Sequence, residues 1–217
     1  GERSYEGSAP VDGFTLPIDP EEAIYKYLNN PAKLPESAQI WFDSGLKNYS
    51  PAAPTYGLTK RQCGRIALFH YLKQIMKLTG EAIADFSGSD RSLEIVITGN
   101  LGDVFCGGMF IDLPYILAKL FSDAPYPVKF TGYFFAADTA SLVETDQRDV
   151  GCYQANTIVA KAELDKFQLH RKRFTQKYSR TFEVDSDKPP YSACFLIPAA
   201  DSYGLTMSRT AEKILNR

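Results

Sequence analysis

Histidine is nearly absent from this chain. His70 and His170 are the only two, both in helix-like stretches, so a histidine-based catalytic or metal centre is not expected. Cysteine is scarce and scattered. Cys63, Cys106, Cys152 and Cys194 form no C-x-x-C pair, which argues against a zinc site or a disulfide framework and leaves buried or half-buried free thiols as the simplest reading. No apolar run approaches the roughly 18 to 20 residues that cross a bilayer. The opening GERSYEGSAPVDG lacks the apolar core of a signal peptide, so a cytoplasmic protein without membrane partners is expected. An excess of positive charge is missing as well. With 24 Lys and Arg against 26 Asp and Glu, the net charge is −2, whereas a general nucleic-acid binder is usually basic.

What is present is core-forming material: 44% of the 217 residues are hydrophobic, enough for one domain of ordinary size. Residues 1 to 55 read as an N-terminal extension with one short helix. In DPEEAIYKYL, Asp19 can cap, Pro20 suits the first helical position and Glu22 follows three residues after the cap. NNPAKLP stops it, and a loop rich in Pro, Ser and Gly follows over 43 to 57. From residue 56 onward the pattern is α/β. A helix is predicted from about Lys60 to Leu78, with Ile66, Phe69, Leu72, Ile75 and Met76 on one side and Gly80 beyond its end. SLEIVIT reads as a strand, MFIDLPYILAKLF as a helix and VKFTGYFFA as a second strand, the order of a crossover in a parallel sheet. Residues 137 to 152 look loop-like, and QANTIVAKAELDKFQLHRKRF reads as one long helix ending in a solvated basic face. TFEV and SACFLI read as strands around the turn DSDKPP, and a last helix is expected near TMSRTAEKIL.

Between the first strand and its helix lies GNLGDVFCGG. Glycine-rich turns in this place hold phosphates, because backbone N–H groups at a helix start can approach an anion where no Cβ intervenes. Gly102, Gly107 and Gly108 would allow it. Asp103 would repel a phosphate, and Val104 and Phe105 would fill its space. Cys106, at a helix start, is open to a nucleophile reading through a lowered thiol pKa, although no histidine stands near it in sequence. Asp112 reads as solvent-facing or capping. Phe174 and Tyr178, interleaved in the basic run 170 to 180, could stack on bases, but a solvated helix end is the simpler reading.

The order of these pieces resembles the tubulin and FtsZ superfamily, closest to a bacterial tubulin-like group. RQCGRIALF, Arg61 to Phe69, is similar to the family's R-x-x-GR-x-AL helix. GDVFCGG, Gly102 to Gly108, lies where the family carries GGGTGSG, with Leu101 before it and MFID after it. VKFTGYFF, ANTIVAKAEL and PPYSACFLIPAADSYG resemble the segments that follow. The resemblance covers about residues 56 to 217 and implies a mainly parallel α/β GTPase-domain fold, or part of one, without a counterpart to the family's first strand and glycine-rich turn. It implies GTP with magnesium as ligand, with Gly102, Asp103, Gly107 and Gly108 at the phosphates and Asn156 at the guanine base.

The departures point the other way. YGL, Tyr56 to Leu58, stands where the family has GAG, Phe105 replaces the signature threonine, and Asp103, Val104 and Cys106 replace glycines. Two functions therefore stay open. One is a non-hydrolysing interaction or assembly module with degenerate loops, no required cofactor and a protein partner or self-association. The other is a GTP-binding, polymer-forming GTPase whose remaining parts lie outside this chain, with magnesium bridging Asp103 to phosphate as one way to tolerate the carboxylate.

Overall fold

The computed structural model describes residues 26–27, 30–42, 61–86, 92–136 and 147–198, and the predicted first helix, the loop over 43 to 57 and the last helix lie largely or wholly outside them. A short helix, α1 (Glu36–Gln39), precedes the long α2 (Arg61–Phe86). There follow β1 (Leu93–Asn100), α3 (Val104–Met109), α4 (Asp112–Leu120), β2 (Val128–Ala136), α5 (Gln147–Leu164), β3 (Phe174–Lys177), β4 (Glu183–Ser186) and β5 (Ala193–Pro198).

β1, β2 and β5 form a parallel sheet in that order, with Ile95 beside Phe130, and Tyr133 beside Phe195. Parallel neighbours need a crossover, and α3 with α4 supplies it between β1 and β2. The chain is thus α/β with helices flanking a parallel sheet, as its strand–helix–strand order predicts. One sheet face carries Phe130 and Phe134 into the core. Phe134 packs edge-on against Phe110 and Tyr191 at ring centroids of 5.3 and 5.5 Å. On the other face Val96 is 51% exposed, and Phe195 stacks on Tyr133 at 4.9 Å.

Four boundaries differ from expectation: α5 begins at Gln147, within the 137 to 152 stretch that reads as loop, and the other three differences each have a local reason. α2 runs on to Phe86 instead of ending at Leu78. Gly80 sits in open space and costs the helix only about 1 kcal/mol, while Lys77 and Glu81 pair across one turn at 3.7 Å. The crossover helix starts early, at Val104, and divides before Asp112. Pro114 has no N–H to give the carbonyl four residues back, that of Phe110. The buried Tyr191 hydroxyl donates to that carbonyl instead.

The third difference is at the C-terminal end of α5. The predicted helix through Phe174 stops being α-helical at Leu164, widens into a π-helical turn over Asp165–Leu169, and breaks at Arg171, whose φ of 47° is left-handed. The run read as a solvated helix end instead contains β3. Phe174, Gln176 and Tyr178 are buried in alternation with exposed Thr175 and Lys177, the period of a half-buried strand. β4 pairs back onto β3 in an antiparallel hairpin, Phe174 opposite Ser186 and Lys177 opposite Glu183, so TFEV and SACFLI belong to different sheets. The hairpin covers α4, where Phe174 stacks on Tyr115 at 4.2 Å.

Candidate functional site

The turn beyond β1 is built from its own hydrogen bonds. The Gly102 N–H donates to the Asn100 side-chain oxygen at 2.8 Å, and the Asp103 N–H donates to the Asn100 carbonyl at 3.1 Å. Asp103 then caps α3. Its Oδ1 accepts from the N–H groups of Phe105 and Cys106 at 2.8 and 2.9 Å, and its carbonyl accepts from Gly107 N–H at 2.8 Å. A carboxylate at a helix start satisfies otherwise orphaned donors and the positive end of the dipole. The Phe105 and Cys106 N–H groups at this helix start are therefore already held by a carboxylate of the chain itself. Asp103 is the source of that anion, and its sequence reading as a repelling charge missed its use as a cap.

Of the five residues expected at a nucleotide, three come together. Gly102 is buried in the turn, Asp103 follows it, and the Asn156 side chain donates Nδ2–H to the Gly102 carbonyl at 3.1 Å from α5. Gly107 and Gly108 turn elsewhere. A Cβ on Gly108 would stand 2.8 Å from the Arg65 nitrogen and overlap the Arg61 carbonyl; one on Gly107 would overlap the Leu101 carbonyl. Gly64 meets Val104 and Phe105 in the same way, so α2 and α3 touch main chain to main chain. Gly64 and Gly108 allow the two helices this close approach, and Gly107 lets α3 close on the Leu101 carbonyl of the turn. Tyr56 to Leu58 lie outside the described residues.

Arg61, quoted only as part of a motif, ties the parts together. Its Nε donates to the Gly107 carbonyl at 2.7 Å and its Nη2 pairs with Glu163 on α5 at 2.5 Å. One turn on, Arg65 donates to Asp112 from Nε and Nη2 at 3.1 and 2.8 Å, and to Gln176 at 3.0 Å. The Tyr178 hydroxyl donates to the same Asp112 oxygen at 2.5 Å. Asp112 is thus 4% exposed and ion-paired, not solvent-facing. Burial pushes its carboxyl above the usual range although Arg65 opposes this. For Arg65, burial works to lower the guanidinium, but the charge and hydrogen bonds of Asp112 outweigh it and hold it high. Gly108 and this pair line a recess of about 360 Å³ with Lys166 and Glu163.

Cys106 does not behave as a nucleophile would. Burial, and then the Asp103 charge, push its thiol up to about 12, with Arg61 opposing. A six-residue helix start does not offset that desolvation. Phe174 and Tyr178 are buried in the core and offer no ring face to a base. Among the described residues no cluster of His, Cys, Asp or Glu could hold a metal ion, and no helix is long and apolar enough to cross a membrane.

No curated protein and no solved structure matches the chain. A family model described as tubulin like matches residues 14–216. The match takes in the Arg61 helix, the capped turn, the parallel sheet and Asn156 together, and the chain belongs to the tubulin-like family.

Proposed function

We propose that this tubulin-like chain is an interaction or assembly module that does not hydrolyse GTP, and that it works in the cytoplasm through a protein partner or a second copy of itself. One observation carries the reading: Asp103 Oδ1 accepts from both Phe105 and Cys106 N–H groups, at 2.8 and 2.9 Å. A triphosphate seated there must displace a bonded carboxylate and overcome its charge, both unfavourable. Val104 and Phe105, packed against the core, add bulk where the family pattern has glycine and threonine. No cofactor is required on this reading.

A second reading keeps the chain as part of a GTP-binding, polymer-forming GTPase. It draws on Asn156, whose side chain reaches the Gly102 carbonyl and so keeps a base-reading amide beside the turn. Magnesium between Asp103 and a phosphate would then replace the cap. Calorimetric titration with GTP and magnesium decides between them. The first reading expects no binding heat; a Kd near 1 μM, about −8 kcal/mol, defeats it. Sedimentation with and without GTP reads assembly, which on the first reading is indifferent to the nucleotide.

A further inference from the structure

A groove of about 1060 Å³ runs between the Pro31–Gln39 segment, α2 beyond Phe69 and the β3–β4 hairpin. Its rim carries Lys26, Lys33, Lys73, Lys177 and Arg180, against two acids, Glu36 and Glu183. In a chain of net charge −2 this is a local excess of three positive charges. All five cations are exposed, and none has a carboxylate partner among the described residues; Lys26 instead reaches His70 Nδ1 at 3.3 Å. That contrasts with Arg61, Arg65 and Arg173, each paired to an acid. The wall is partly apolar: Tyr27, Leu34, Phe69, Leu72 and Tyr178 contribute to it, and Ile40 stands 85% exposed at its lip.

Unpaired like charges around a concave apolar floor are unfavourable in isolation and complementary to one class of ligand. We propose that this groove binds an acidic, partly apolar peptide segment of a partner protein. Carboxylates of the segment would pair with the rim, and its apolar side chains would lie on the floor beside Ile40. A membrane surface is flat and would meet the rim but not the recess between these elements. A single-stranded nucleic acid stacks its bases on open aromatic rings, and the exposed apolar contact here is the aliphatic Ile40. The groove uses α2 two turns past the contact with α3, and stands whether or not GTP binds.

The test uses the whole chain and a fluorescein-labelled twelve-residue peptide of Glu and Leu in amphipathic order, read by anisotropy. Saturable binding is expected at low salt, weakening severalfold on raising the salt to about 0.15 M, where exposed charges are screened over roughly 8 Å. The double variant K73E/K177E should weaken it at least tenfold, and I40S should weaken it at low and high salt alike. Both variants must keep the parent melting curve. A Lys-for-Glu peptide should not bind. No saturable binding, binding untouched by K73E/K177E, or tighter binding of a single-stranded oligonucleotide or of anionic vesicles through the same lysines would each overturn the proposal. GTP binding measured separately would remove the non-hydrolysing reading and leave this result as it stands.

Discussion

Asp103→Ala removes the cap that α3 is built on. Phe105 and Cys106 N–H groups lose their acceptor. Loss of an N-cap side chain costs about 1 kcal/mol, and the half-buried setting puts this case at about 1.5 kcal/mol. For a chain of this length that lowers the melting temperature by roughly 3 to 6 °C. Asp103→Asn separates cap from charge, since asparagine caps as well as aspartate; it should melt within about 2 °C of the parent. Both variants remove the negative charge beside Cys106. Its thiol should therefore titrate below about 12 in each, yet stay above its ordinary value, because burial is the larger cause. Calorimetric melting and a pH series of thiol absorbance read the two effects separately. An alanine variant that melts with the parent, or an asparagine variant as damaged as the alanine one, would refute the cap as the source of local stability.

Other expectations follow from the same geometry. Asp112→Ala strands Arg65 and the Tyr178 hydroxyl, and urea unfolding should register a loss of about 3 kcal/mol, the low end for a broken buried pair because Arg65 keeps some water contact. Gly108→Ala forces a methyl into the Arg61 and Arg65 backbone and should cost about 3 kcal/mol or more by the same assay, whereas Gly80→Ala, in open space, should stabilise by up to about 1 kcal/mol. With its thiol pushed up to about 12, Cys106 should be alkylated far more slowly than the partly exposed Cys152 in mass-mapped labelling at about pH 8, and rapid labelling would contradict its burial. Hydrogen bonds from Arg173 and Thr175 hold the exposed Asp185 carboxyl down at about 2. Its contribution to the hairpin is then present above the unfolded value near 3.8 and lost as pH falls through about 2; a carboxyl carbon shift titrating near 4 would contradict the pairing.

The sheet was legible because its strands carry the signal locally: LEIVI and VKFTGYFFA are β-branched and aromatic runs bounded by turns. β3 was hidden by charge. Its alternation of Phe174, Gln176 and Tyr178 is plain in hindsight, but the surrounding Lys and Arg suggested a helix surface, and only the break at Arg171 separates the two. Asp112 was misread because its partners, Arg65 and Tyr178, come from distant segments that no local period links to it. At the candidate site, Gly102, Asp103 and Asn156 could be named from order along the chain. The close backbone contacts of Gly107 and Gly108 could not be read there, since a glycine spared for a ligand and one spared for neighbouring main chain leave the same letter.

The meeting of α2 with α3 at Gly64 and Gly108 limits how this chain can vary. A seam made of main-chain atoms contains nothing that can swivel to make room. Any side chain larger than hydrogen collides with backbone at those two points, so one helix cannot slide along the other without first separating from it.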